Sequence, residues 1–147
     1  MLNDHPISLP NQFAPLPNTL ASGMPSEQDF GDAAKKGIKT VVNLCPLNET
    51  PPSEPAVVEG LGMRYVNIPV SGPQDLNRAN AQQLADAMAE SDTQPVLVHC
   101  RSSNRVGALL ALKAFWIDSQ TPQHAIELGR AAGLLNLEPV VLQLMNP

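Results

Sequence analysis

The segment His99-Cys100-Arg101-Ser102-Ser103-Asn104-Arg105 gathers one thiol, three small polar side chains and two guanidinium groups. An apolar run, Val96-Leu97-Val98, leads into it, and Val106-Gly107-Ala108-Leu109-Leu110 follows. A strand feeding a short polar loop and then a helix turns its backbone N–H groups inward, as a concave nest for an anion. The helix adds its unpaired N-terminal donors and the positive end of its dipole. The same field favours a thiolate at Cys100 over the thiol. Arg105 closes the loop with a planar, two-pronged donor suited to an oxyanion. Nucleophile, oxyanion cradle and cationic clamp thus occupy six consecutive residues, which is enough for displacement on sulfur.

The candidate anion ligands are Arg101, Ser102, Ser103, Asn104 and Arg105. A lone cysteine at a strand end is more often an inert buried residue. A purely structural turn, however, rarely carries two arginines and three small polar groups. His99 reads either as support for the loop or as a satisfied core histidine. Arg101 reads equally as a ligand or as a solvated side chain. His124, with Glu127 nearby, fits a solvated helix face better than a metal site. His5 lies in the terminal segment, and Trp116 belongs to the core.

The elements that must position this loop can be read from local signals. Residues 1–20 form a polar, Pro-rich, extended lead-in draped over the surface. Ser26 and Asp29 have the spacing of a capping box, which predicts a helix from Glu27 to Lys36 that stops at Gly37. Lys39 to Leu44 reads as a buried strand that ends at Cys45-Pro46. A short helix over Glu54–Glu59 and a strand over Arg64–Pro69 follow. Ser71-Gly72-Pro73 breaks that strand. A helix from Arg78 to Ser91 presents Ala81, Leu84, Ala85 and Met88 on one face. Pro95 to His99 is apolar on both faces, as at the centre of a parallel sheet. Helices then run from Arg105 to Asp118, from Thr121-Pro122 to Gly133, and from Glu138 to Met145. Strands alternating with helices imply an α/β fold, a mostly parallel central sheet flanked by helices. Ligands in such folds bind beyond the carboxyl ends of the strands. Cys45, the Gly72–Asp75 stretch and the Cys100–Arg105 loop converge there.

Composition bounds the function. The 147 residues are 43% hydrophobic and 16% charged, which suits one domain with a real core. Fifteen prolines point to long extended connections. A net charge of −5 and a pI near 5.0 argue against a nucleic-acid partner or a polyanionic membrane surface. A small anion remains compatible, because one focused pocket can be positive on an acidic protein. No apolar run approaches the roughly 20 residues that span a bilayer. Met1 to Pro6 lacks the basic and apolar regions of a signal peptide, so the expected compartment is the cytoplasm, although a trimmed exported chain would look the same. Two cysteines, Cys45 and Cys100, make no disulfide framework. The sequence sets no oligomeric state.

His99-Cys100 followed by Arg105 and a small-residue helix resembles the signature of the protein tyrosine and dual-specificity phosphatase superfamily. More narrowly, the chain is similar to the bacterial beta-lactamase-hydrolase-like phosphatases. Four stretches carry the likeness: Ala21 to Ser26, Gly37 to Leu44, Tyr65 to Val70 and Val98 to Ala108. The resemblance implies a dual-specificity-phosphatase-like α/β fold over residues 1–147, a cysteinyl-phosphate intermediate, a small phosphorylated substrate, and neither metal nor cofactor.

The sequence departs from the superfamily in three ways. The superfamily places five residues between cysteine and arginine, whereas Cys100 and Arg105 enclose four. The shorter gap also resembles rhodanese-type sulfurtransferases, in which the cysteine carries a persulfide. Ser103 stands where glycine is common, so a positive φ there would strain it. The position of the superfamily's aspartate general acid is Gly72, and Asp75 is the nearest carboxylate. Asp75 reads either as that acid or as a loop or helix-cap residue. Some superfamily members carry a second cysteine at the strand end matching Cys45, which captures the oxidised nucleophile as a disulfide. Cys45 is therefore a candidate redox partner or a small buried residue. Three functions follow: phosphomonoester hydrolysis first, sulfur transfer second, and a weakly active anion-binding or redox-sensing module third.

Overall fold

Local signals set the helix boundaries. In the computed structural model, which describes residues 1–89 and 94–146, helix α1 spans Glu27–Lys36. Its capping box is reciprocal. The Asp29 N–H donates to Ser26 Oγ at 3.1 Å, and the Ser26 N–H donates to Asp29 Oδ2 at 2.9 Å. Gly37 ends the helix at φ 104°, a left-handed conformation in which a side chain would be strained. The other helices are α2 (Glu54–Gly60), α3 (Arg78–Ala89), α4 (Asn104–Trp116), α5 (Pro122–Ala131) and α6 (Glu138–Met145). Thr121 caps α5 by accepting the His124 N–H, with Pro122 in the first turn. The expected end of α3 at Ser91 lies outside the described residues.

The strands are short: β1 (Phe13–Leu16), β2 (Thr19–Ser22), β3 (Thr40–Asn43), β4 (Arg64–Asn67) and β5 (Val96–His99). They form one sheet in the order β1-β2-β5-β3-β4. All neighbours are parallel except β1 and β2, which form an antiparallel pair. The expected central strand, β5, lies between β2 and β3. The lead-in departs from the sequence expectation, because its last third is not draped over the surface. Residues 13–22 form a hairpin, and β2 inserts fully buried beside β5. The local signal was weak. Each strand has four residues, Pro15 interrupts the first, and β2 offers only Leu20 and Ala21 as an apolar pair.

Residue alternation sends the two faces of the sheet to different layers. Leu20, Val41 and Leu97 pack with Phe30 and Ala33 of α1 and Val58 of α2. Ala21, Val42, Val96 and Val98 pack against α3 to α6. Helix α4 is buried on nearly every side and forms the spine of that second layer. Gly107 is where α4 and α5 come closest. A β-carbon there would lie 2.3 Å from the Leu134 nitrogen and 2.6 Å from the Gly129 carbonyl oxygen.

Gly107→Ala tests this packing. Alanine improves helix propensity by about 1 kcal/mol. Forcing backbone from backbone costs about 3 kcal/mol, the upper end of overpacking penalties. Net destabilisation of about 2 kcal/mol is expected in urea unfolding. A neutral or stabilising result would mean that α4 and α5 lie farther apart.

Candidate active site

Register brings four polar residues into one row. Ser22, His99, Asn43 and Asn67 are direct neighbours across β2, β5, β3 and β4, at the carboxyl end of each strand. The loop begins one residue later, at Cys100, whose N–H still donates to Ser22 O at 3.2 Å. Alternation then turns His99 and Cys100 to opposite faces. Cys100 joins the layer of α3 to α6, and it is fully buried. The His99 ring meets Phe30 edge-on, with centroids 5.8 Å apart.

The loop is anchored on both sides. Gly23 and Ser102 form an isolated bridge, and the Met24 N–H donates to Arg101 O at 3.3 Å. A β-carbon on Gly23 would fall 2.5 Å from that same Arg101 oxygen, so only glycine allows this approach. Ser103 has φ 70°, the left-handed region where glycine is favoured. Its hydroxyl is buried and donates to Ala132 O at 2.6 Å. Asn104 Oδ1 accepts the N–H groups of Leu135 at 2.8 Å and Leu137 at 3.4 Å, and its Nδ2 donates to Asn136. The Ser103 and Asn104 side chains therefore tie the loop to the α5–α6 connection, which leaves their backbone amides as what they can offer an anion. Arg101 and Ser102 are exposed.

Arg105 is held along one edge. Its Nη1 donates to Val70 O at 2.8 Å and Glu49 Oε2 at 3.3 Å, and its Nη2 donates to Glu49 Oε1 at 2.7 Å. A guanidinium has five N–H donors. Three are used here, so the edge formed by Nε and the second Nη2 proton has no partner among the described residues. Burial is the largest influence on Arg105 and opposes its charge, but the hydrogen bonds to Glu49 together with the nearby Cys45, Cys100 and Glu49 charges outweigh it and raise the pKa of the group above its ordinary value. Hydrogen bonds from Arg105 in turn hold the Glu49 carboxyl below the usual range, against burial.

A buried hydrogen-bonded layer underlies the loop. His99 Nε2 lies 2.9 Å from Glu54 Oε2, and both side chains are almost fully enclosed. Tyr65 Oη donates to the same Glu54 oxygen at 2.8 Å and accepts from Asn43 Nδ2 at 2.9 Å. Asn43 Oδ1 accepts the Cys45 N–H at 2.9 Å, and Asn67 Nδ2 donates to Cys45 O at 2.9 Å. His99 Nδ1 faces Cys100 O at 3.4 Å.

The structure thus brings Cys100, Arg105, His99 and Cys45 to one end of the sheet. Cys45 and Cys100 are both unpaired, share one core cluster and interact electrostatically. Burial chiefly pushes the Cys45 thiol up to about 12, with Arg105 opposing and Cys100 adding. Asp75 belongs to a 3₁₀ turn, Pro73–Asp75, and is half-buried. Its Oδ2 accepts the Ser71 N–H at 2.9 Å and the Ser71 hydroxyl at 2.7 Å, which hold its carboxyl below the ordinary value. Sequence reasoning missed Glu49 and Glu54. Each is 45 or more positions from its partner and reads locally as an ordinary charge near a helix start. A surface depression of about 580 Å³, bordered by Thr19 and Gln94, opens at the amino ends of β2 and β5, opposite Cys100. Among the described residues, no helix is long and apolar enough to cross a membrane.

Comparison with known proteins places this arrangement. Two curated beta-lactamase hydrolase-like proteins of Xylella fastidiosa, strains Temecula1 and 9a5c, are 30% identical over 132 residues, 81% of this chain. The chain spans 30% of the length of those relatives. A candidate phosphatase (DUF442) from Shewanella putrefaciens CN-32 superposes with a TM-score of 0.73 at 26% identity, covering 95% of this chain and 90% of its own. P. aeruginosa TpbA, solved in complex with phosphotyrosine, shares the fold at a TM-score of 0.66 and 20% identity, over 92% and 83% of the two chains. The fold is thus that of tyrosine- and dual-specificity-type phosphatases. Residues 18–115 match the family described as beta-lactamase hydrolase-like protein, phosphatase-like domain, and the chain belongs to that family.

Proposed function

We propose that the protein hydrolyses phosphomonoesters through a cysteinyl phosphate. The observation that carries this reading is the open edge of Arg105. Glu49 and Val70 hold the guanidinium from one side, which leaves Nε–H and the second Nη2 proton for an oxyanion. Cys100 Sγ attacks phosphorus, the S–P bond forms, and the ester oxygen leaves with a proton. Water then attacks the same phosphorus, which releases phosphate and regenerates the thiolate. Loop amides from Arg101 to Arg105 and the Arg105 edge bind the equatorial oxygens. Arg101, exposed at the rim, attracts the incoming dianion. Cys100 is wholly enclosed, so an ester must displace part of that enclosure before phosphorus meets sulfur.

Asp75 is our candidate for protonating the leaving group. Ser71 keeps it ionised, so it must release Ser71 before it can carry a proton. Esters with good leaving groups should therefore turn over best. The four-residue gap between Cys100 and Arg105 favours a second reading, sulfur transfer through a Cys100 persulfide. Thiosulfate would load the sulfur with loss of sulfite, and cyanide would remove it as thiocyanate. A module that binds anions without turnover is the third reading, and tight phosphate binding with no hydrolysis would reveal it. Cys45 is the proposed redox partner. Peroxide converts the Cys100 thiol to a sulfenic acid and water, and the Cys45 thiol displaces a second water to form the disulfide. Because burial keeps Cys45 protonated, this second step should be slow at neutral pH and accelerate as pH rises toward 12.

Three measurements test these assignments. With an aryl phosphate, Cys100→Ser should abolish turnover, and Arg105→Lys should lower kcat/KM by about a hundredfold, since the two-pronged contact is lost. Full activity in the serine variant would discard the mechanism, and thiocyanate production without phosphate release would select sulfur transfer. Asp75→Asn should raise the ratio of aryl to alkyl phosphate turnover, and an unchanged ratio would remove Asp75 from the reaction. Mass spectrometry after mild peroxide should find a Cys45–Cys100 linkage that forms faster at higher pH. Sulfinic acid at Cys100 with no linkage would exclude Cys45.

A further inference from the structure

Glu54 is 2% exposed, yet it lies near the start of a short helix where a carboxylate would normally reach solvent. Its Oε2 serves two neighbours, Tyr65 and His99, and its Oε1 is buried without a hydrogen-bond partner. A buried carboxyl group left half-satisfied is costly, so its retention calls for a function.

Counting protons identifies that function. Asn43 Nδ2 donates to Tyr65 Oη, so the phenolic proton is directed to Glu54 Oε2. Burial chiefly keeps Tyr65 a phenol, with its pKa raised above the usual range. Cys100 O can only accept, so the His99 nitrogen facing it must carry a proton for that 3.4 Å contact to be attractive. With Nδ1 protonated, the 2.9 Å contact between Nε2 and Oε2 needs one further proton, on either the imidazole or the carboxyl. An unprotonated Nε2 against an ionised carboxylate would be repulsive. The pair therefore shares one proton and stays neutral as a whole, with Nδ1–H directed at the Cys100 carbonyl.

We propose that Glu54 is a positioning residue for the nucleophile: its buried carboxyl shares a proton with His99 Nε2 and so fixes Nδ1–H on the Cys100 carbonyl. This inference rests on Cys100 being the nucleophile. The other ionisable groups around the site are Tyr65 on β4, Cys45 after β3, Glu49 on the 3₁₀ turn Leu47–Glu49, Arg101 in the loop, Arg105 on α4 and Cys100 itself. Tyr65 and Cys45 stay neutral near pH 7, and Glu49 stays paired with Arg105. Among the described residues, the His99–Glu54 contact is the one that places a shared proton directly behind the loop. Glutamine cannot replace this carboxyl. With its amide oxygen at the Oε2 position it accepts from Tyr65, but it then needs Nε2–H, which leaves either an unprotonated Nδ1 facing a carbonyl or an unpaired buried charge. With its amide nitrogen there, it strands the Tyr65 hydroxyl.

The test compares wild type, Glu54→Gln and Glu54→Asp. Three quantities are read: the pH dependence of Cys100 alkylation by iodoacetamide, kcat and KM on an aryl phosphate, and the thermal midpoint. In Glu54→Gln, alkylation and kcat at pH 6 should fall about tenfold while alkylation near pH 9 changes little, equivalent to moving the half-maximal rate up by one pH unit. KM should change by less than about threefold, and Glu54→Asp should recover part of the low-pH rate. A Glu54→Gln protein that is less stable but has an unchanged pH profile overturns the proposal, because that outcome marks a purely structural carboxyl. If Glu54→Gln misfolds, Tyr65→Phe, which frees Oε2 of its second donor, should leave the pH profile within about threefold of wild type; a tenfold loss at pH 6 there would instead assign the effect to Tyr65 and overturn the role of Glu54. Absence of turnover in wild type, with a normal alkylation profile, would instead count against phosphatase activity.

Discussion

The site depends on where the apolar sheet stops. Through β2, β5 and β3 the strand interiors are filled by Leu, Val and Ala, with Tyr65 and Val66 in β4, and the next row is Ser22, His99, Asn43 and Asn67. Four buried or half-buried polar residues in one row require partners for nearly every donor and acceptor. Those partners come from the connections: Thr50 for Asn43, Glu54 for His99, the Cys45 carbonyl for Asn67 and the Gly23 carbonyl for Ser22. The row thereby fixes the strand ends, and the strand ends fix where the Cys100 loop begins. A hydrophobic row would bury as much surface, but it would give the loop nothing with a defined direction to rest on.

Charge is organised around the same layer. The chain carries a net charge of −5, and two glutamates lie near the proposed anion site. Each is paired: Glu49 with the back edge of Arg105, and Glu54 with His99. Neither therefore presents a free negative charge to an oxyanion. Glu49 also restrains the guanidinium, and a restrained fork loses less entropy when it grips a substrate. In the proposed mechanism, attraction at the mouth rests on Arg101 and the loop amides, which is how an acidic protein would hold an anion at one point.

Local signals in the sequence were enough for the scaffold of the site, but not for its supports. The capping box at Ser26, the stop at Gly37, the apolar central strand and the loop from Cys100 to Arg105 all depend on residues within one or two turns of each other. The hairpin of β1 and β2 escaped because two four-residue strands, the first interrupted by Pro15, carry almost no periodicity. Glu49 and Glu54 escaped for another reason. A glutamate beginning a short helix has the same local pattern whether it faces water or a histidine 45 positions away. Burial of a carboxyl is a tertiary fact, and one sequence does not encode it in any local pattern.

Ser103 shows how the loop tolerates a poor local choice. A left-handed conformation costs a residue with a β-carbon about 1–2 kcal/mol. Glycine would avoid that cost, but it would remove the buried donor to Ala132 O, a bond worth about 1 kcal/mol. The two effects nearly cancel, so serine at this position is not an error in the loop. What serine adds is connection: its hydroxyl binds the first turn of α4 to the end of α5, beside the point where Gly107 and Gly129 let those helices touch. The amides that would face an anion are thus tied through one side chain to the close contact between α4 and α5. From Cys100 to Arg105 the left-handed conformation falls on Ser103 alone, and its bond to Ala132 O holds it there.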